Sequence, residues 1–130
     1  MKKLYVGVIS IAAILVFMSS CAPPQPTKIV PVEFEPGQNY FHRACASCHG
    51  ADALGKQTKA PGLIDSEYLP ESFSDEEIRK QVIEGSDKMP SQRNKLSDVE
   101  IEEIIKYLRY SQKAADLFVD EDERDDNGEK

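Results

Sequence analysis

Cys45-Ala46-Ser47-Cys48-His49 is the stretch on which the fold of this chain turns. Two thiols three residues apart, at the end of one short helix, can add to two vinyl groups along one edge of a haem. The next residue then brings an imidazole under the iron. Each position has one task, which is why C-x-x-C-H reads as a haem-attachment signature. A redox disulfide of the C-x-x-C type belongs with a βαβ pattern, and the sequence has no strand-like alternation. A structural zinc site takes four ligands. The domain offers two cysteines and two histidines, and His42 lies only three residues before Cys45.

Helical patterns flank the motif on both sides. Residues 37–46 read as a first helix, with Tyr40, Phe41 and Ala44 on one side. A loop continues over residues 50–63, punctuated by Gly50, Gly55, Pro61 and Gly62. Residues 66–69 make at most one turn before Pro70. Ser74-Asp75-Glu76-Glu77 is a capping box, opening a helix that carries Ile78, Val82 and Ile83 and stops at Gly85. Ser97-Asp98-Val99-Glu100 is a second one. Behind it Ile101, Ile104, Ile105 and Leu108 fall at i, i+3, i+4 and i+7, the clearest amphipathic helix in the chain. The expected fold is all-α, with helices of residues 37–113 wrapped around one covalently bound haem.

The two ends differ from this middle. Lys2 and Lys3 precede fifteen uncharged residues, 4–18, and then Ser19-Ser20-Cys21. A spanning helix needs roughly 17–25 apolar residues, so residues 1–20 fit a secretory signal better. The Ser-Ser-Cys ending resembles a bacterial lipoprotein signal with Cys21 as the lipidated mature N-terminus, although Met18 stands where leucine is usual. An uncleaved anchor and ordinary cleavage after Ala22 are the alternatives. All three place the domain outside the cytoplasm, and the first two tie it to a membrane. Five of the eight prolines lie in residues 22–36, the expected extended tether of about 45 Å at ~3.1 Å per residue. Residues 114–130 read as an acidic, largely disordered tail, with eight Asp or Glu from Asp116 onward against Arg124 and Lys130.

Charge and missing motifs narrow the function. The net charge is −7 with no long basic run, which argues against nucleic-acid binding. No G-x-S-x-G, phosphate-loop or dinucleotide-binding pattern occurs. The three cysteines are accounted for, Cys21 by lipid or removal and Cys45 and Cys48 by haem c.

With these residues in view, residues 37–110 resemble a small class I cytochrome c domain of bacterial type. The resemblance implies that Gly37 and Phe41 pack the first helix on the last, where Ile104 and Tyr107 supply the opposing contacts. It implies that the Pro61 carbonyl accepts a hydrogen bond from the outer nitrogen of the axial His49, making that ligand more basic. Met1 and Met18 lie in the signal, so Met89 is the remaining thioether. It stands in the Met-Pro context that the family uses for its distal ligand. His42 competes for that role, but it shares a helix with Cys45 and starts on the attachment side, and a surface position is expected for it.

A domain of this size has a small core, so the haem is expected to act as a staple and the haem-free chain to be loosely packed. Without haem an open pocket walled by Leu54, Leu63, Ile64, Leu69, Val82, Ile83 and Ile104 is expected. Iron ligated by His49 and Met89 has no open position for a small-molecule substrate, which implies a one-electron carrier of relatively high potential rather than an enzyme. Its partners are then redox proteins and the membrane. The alternatives are a cytochrome subunit dedicated to one complex, and a haem sensor or peroxidase with a labile sixth ligand.

Overall fold

The computed structural model describes residues 22–117. Residues 1–21, with the expected signal segment and Cys21, and residues 118–130 lie outside them. Four helices form the frame: α1 Glu35–Ala44, α2 Ala46–His49, α3 Asp75–Glu84 and α4 Asp98–Ala114. Tight 3-10 turns at Val32–Phe34, Ala51–Ala53 and Ser66–Tyr68 connect or extend them. Among the described residues there is no strand, as the all-α reading requires. No described helix is long and apolar enough to cross a membrane.

Both capping boxes close in both directions. Ser74 N–H donates to Glu77 Oε2 at 2.8 Å, and Ser97 N–H donates to Glu100 Oε2 at 2.8 Å. In return the Ser74 and Ser97 hydroxyls accept from the Glu77 and Glu100 backbone N–H groups. Hydrogen bonding to the Ser97 backbone, and then to Arg43, holds the Glu100 carboxyl down at about 2. The Arg43–Glu100 pair (2.7 Å) also ties the end of α1 to the start of α4, though a partly exposed pair of this kind adds little stability.

The core lies where α1 crosses α4. Phe41 and Tyr107 are fully enclosed there, their ring centroids 5.7 Å apart, in one cluster with Ile101, Ile104, Ile105 and Leu108. Gly37 makes the crossing close: a Cβ on it would lie 2.7 Å from the Glu103 carbonyl carbon and 2.8 Å from Tyr107 Cβ. Two polar residues of α4 then hold the intervening loops. Arg109 donates to the carbonyls of Tyr68 and Phe73, both at 2.6 Å, and pairs with Asp75. Gln112, buried, donates to the Leu63 carbonyl at 3.0 Å and to the Tyr68 carbonyl at 2.9 Å.

Two boundaries differ from the sequence reading. The first helix starts at Glu35, because Pro36 falls in its first turn, where its missing N–H costs nothing. It breaks at Cys45 (φ −121°, ψ −32°) instead of continuing through Ala46. The expected 22–36 tether is corrected as well, because Thr27, Val30 and Phe34 fasten its second half to the domain. Val30 is buried, Gln38 Nε2 donates to the Lys28 carbonyl at 2.8 Å, and Phe34 stacks on Tyr110 with centroids 4.3 Å apart. Proline content signalled an extended backbone, and that backbone lies against α4.

Candidate haem-attachment site

Cys48 and His49 sit on the single turn of α2, and Cys45 is the residue just before it. The Cys45 carbonyl accepts from Cys48 N–H at 3.1 Å and from His49 N–H at 2.9 Å. Both thiols are free; Cys45 is buried in the apolar cluster and Cys48 is exposed. Burial, and then the neighbouring Cys48, push the Cys45 thiol up to about 12 against a smaller opposing pull from Lys95. The Lys95 ammonium therefore lies near the attachment turn.

The loop after the motif folds back on it. Gly55 N–H donates to the His49 carbonyl at 2.7 Å, and Leu63 N–H to the Ala53 carbonyl at 2.7 Å. This return brings the Pro61 carbonyl 2.8 Å from His49 Nδ1. A carbonyl can only accept, so Nδ1 carries the proton and Nε2 keeps its lone pair. Among the described residues Nε2 makes no hydrogen bond.

Met89 is positioned by a second return loop. Gly85 adopts φ +73° just past α3, and a Cβ there would lie 2.6 Å from both the Met89 oxygen and the Ser91 nitrogen. Only a glycine lets the chain double back this tightly. Ser86 N–H then donates to the Met89 carbonyl at 2.7 Å, and Gln92 N–H to the Val82 carbonyl at 2.9 Å. The Met89 side chain is half-buried against the same cluster that takes in Cys45, with Gln81 Nε2 3.8 Å from its sulfur.

These residues fit covalently bound haem c. The chain presents two free thiols at the right spacing, an imidazole with an available Nε2, and a half-buried thioether. Leu63, Ile64 and Ile83 add partly buried apolar surface. The pocket expected from sequence is corrected in its walls: Leu69, Val82 and Ile104 are buried by protein neighbours, and Leu54 is exposed. Apolar side chains at the α3–α4 contact close on one another. An open groove of about 1010 Å³ lies elsewhere, between the start of α3 and the outer face of α4.

His42 is a correction too. It is buried, not at the surface, and both ring nitrogens are engaged. Nε2 accepts from Asp52 N–H at 3.0 Å, so Nδ1 is protonated and donates to the Gln38 carbonyl at 2.8 Å. Neither nitrogen is available to iron. Asp52, its partner, and Thr27, which donates to Asp52, were not singled out from sequence. Nothing in a single sequence marks an aspartate three residues past a motif as buried.

Comparison with known proteins agrees with this chemistry. Residues 32–108 match the family described as cytochrome C oxidase, cbb3-type, subunit III. The menaquinol:cytochrome c reductase cytochrome c subunit of Bacillus subtilis (strain 168) is 38% identical over 69 residues, 53% of this chain and 25% of that protein. The cbb3-type cytochrome c oxidase subunit FixPc of Rhizobium leguminosarum bv. viciae is 35% identical over 75 residues, 57% of this chain and 26% of that protein. The chain thus spans about a quarter of the length of these curated relatives. No solved structure matches. By the match over more than half its length, the chain belongs to the cbb3-type cytochrome c oxidase subunit III family and is a small c-type cytochrome with covalently bound haem c.

Proposed function

We propose that this protein is a one-electron carrier whose haem is held through Cys45 and Cys48, with His49 and Met89 as axial ligands. The observation that carries the reading is the 2.8 Å hydrogen bond from His49 Nδ1 to Pro61. It fixes the tautomer, turns Nε2 outward as a ligand and makes it more basic. The bound haem supplies reversible one-electron chemistry at its iron. The Gly85–Gln92 return loop presents the Met89 sulfur, and a thioether opposite histidine favours the reduced state and a high potential. A redox-titrated optical spectrum of the mature protein tests ligation and potential together. Ready binding of carbon monoxide to the reduced protein would instead indicate a labile sixth position, as in a sensor or peroxidase.

A dedicated subunit of a larger complex is the second reading, favoured because both curated relatives are named as subunits. Copurification with a membrane oxidoreductase would establish it. On either reading the domain works outside the cytoplasm, held at a membrane through Cys21. Since Thr27 is hydrogen-bonded to Asp52, only residues 22–26 remain as a leash, reaching about 16 Å at ~3.1 Å per residue. Cys21→Ser is expected to release soluble protein or leave an unprocessed precursor. Membrane retention of a fully processed Cys21→Ser protein would reject lipidation.

Docking is expected on a locally basic face. Lys56, Lys59, Lys88 and Lys95 are exposed on the loops around the attachment turn and Met89, and Lys95 is electrostatically coupled to Cys45. Electron transfer to an acidic partner should slow as salt rises, because the Debye length is only ~8 Å at physiological ionic strength. Charge reversal at Lys88 and Lys95 should slow it several-fold at low salt. Reversal at Lys113, beside the distant α4 groove, should leave it unchanged. Equal effects at all three sites would mean that the basic face does not guide docking.

A further inference from the structure

Asp52 is the least expected residue in the core. It is 2% exposed, sits in the left-handed region (φ 53°, ψ 27°), and comes three residues after His49. Three residues of chain span at most about 11 Å, so the Asp52 backbone stays within that distance of the His49 backbone. Oδ2 accepts from Thr27 N–H at 3.0 Å and from the Thr27 hydroxyl. Oδ1 is buried without a partner. Asp52 lines a cavity of about 60 Å³ together with Val30, Ile64, Tyr107 and Ser111. That volume exceeds the ~10–15 Å³ one water needs.

The groups around the carboxylate are hydrogen-bond donors or are already engaged. His42 Nε2 lies 3.6 Å from Oδ1, and its lone pair is already taken by Asp52 N–H. His42 thus has no free acceptor toward Oδ1, and Thr27 supplies two donors to Oδ2. Burial, and then neighbouring Asp52, push the Tyr107 phenol up to about 12.

We propose that Asp52 is a buried carboxylate whose charge lowers the potential of the haem held by His49 and so sets the working potential of this carrier. The inference rests on the proposed haem ligation. A negative charge in a poorly screened interior stabilises the oxidised, more positive iron over the reduced iron. Thr27 clamps the carboxylate from the N-terminal strap, and His42 fixes its backbone from α1. The segment leading from the membrane side is thereby joined to the loop that carries the haem ligand.

Equilibrium redox titration of the haem-loaded protein tests it. Asp52→Asn keeps the shape, tolerates the left-handed backbone and retains an oxygen for Thr27. Its midpoint is expected to rise, with the ligation spectrum unchanged, and to rise more than that of the exposed control Asp65→Asn. An unchanged midpoint, or a shift no larger than the control's, overturns the proposal. Should Asp52→Asn fail to load haem, Thr27→Val removes only the hydroxyl donor at an exposed position. The less neutralised carboxylate should then lower the midpoint, and an unchanged value overturns the proposal equally. Absence of covalent haem from the unmutated protein would refute the ligation reading itself, a distinct result.

Discussion

Met89→Ala is expected to leave the covalent haem in place, abolish the weak red absorbance of iron–thioether ligation and lower the midpoint potential. The shift should be on the order of a tenth of a volt or more, a modest part of the roughly 0.8 V range that axial ligands command. Attachment depends on Cys45 and Cys48, just before and within α2, which the substitution does not touch. The return loop also survives, since its hydrogen bonds run through Ser86, Ser91 and Gln92 and through the backbone of residue 89. Alanine therefore removes the sulfur without releasing the loop. His42 offers no substitute ligand, because both its ring nitrogens are committed. The vacated position should then take water or added carbon monoxide. An unchanged spectrum and potential would remove Met89 from the site.

This contrast between Met89 and His42 shows what a sequence can carry. Local rules were legible: Ser74 and Ser97 cap their helices because a capping box involves four consecutive residues. The attachment turn was legible for the same reason, and so was the i, i+3, i+4, i+7 stripe of α4. His42 and Asp52 were not, because their burial depends on a hydrogen bond between residues ten apart and on a strap that returns from Thr27. Proline-rich composition misled in the same region. It reports backbone conformation, and it is silent on whether Val30 and Phe34 find apolar partners on α4. The pocket failed for a related reason: a list of apolar residues cannot say which will close on each other, and Val82 and Ile104 do.

Gly37→Ala sets two local rules against each other, and the structure decides the sign. Helix propensity alone favours alanine over glycine by about 1 kcal/mol inside α1. The crossing with α4 opposes it, since the new Cβ would lie 2.7 Å from the Glu103 carbonyl carbon and 2.8 Å from Tyr107 Cβ. Neither is the free end of a flexible side chain. α1 has no easy retreat: Phe41 is locked against Tyr107 below it, and Phe34, just before it, is stacked on Tyr110. Overpacking of a closed core costs about 1–3 kcal/mol and sometimes more, and here it must exceed the propensity gain. A net loss of ~2 kcal/mol would lower the melting temperature of a domain this small by roughly 8–16 °C. Thermal unfolding of the haem-loaded protein, monitored by helicity, measures it. Asn39→Ala, at an exposed position of the same helix, should change stability by no more than about 0.5 kcal/mol. A Gly37→Ala protein as stable as the original would mean that α1 can lift from α4, and that the attachment turn at its end tolerates a looser crossing.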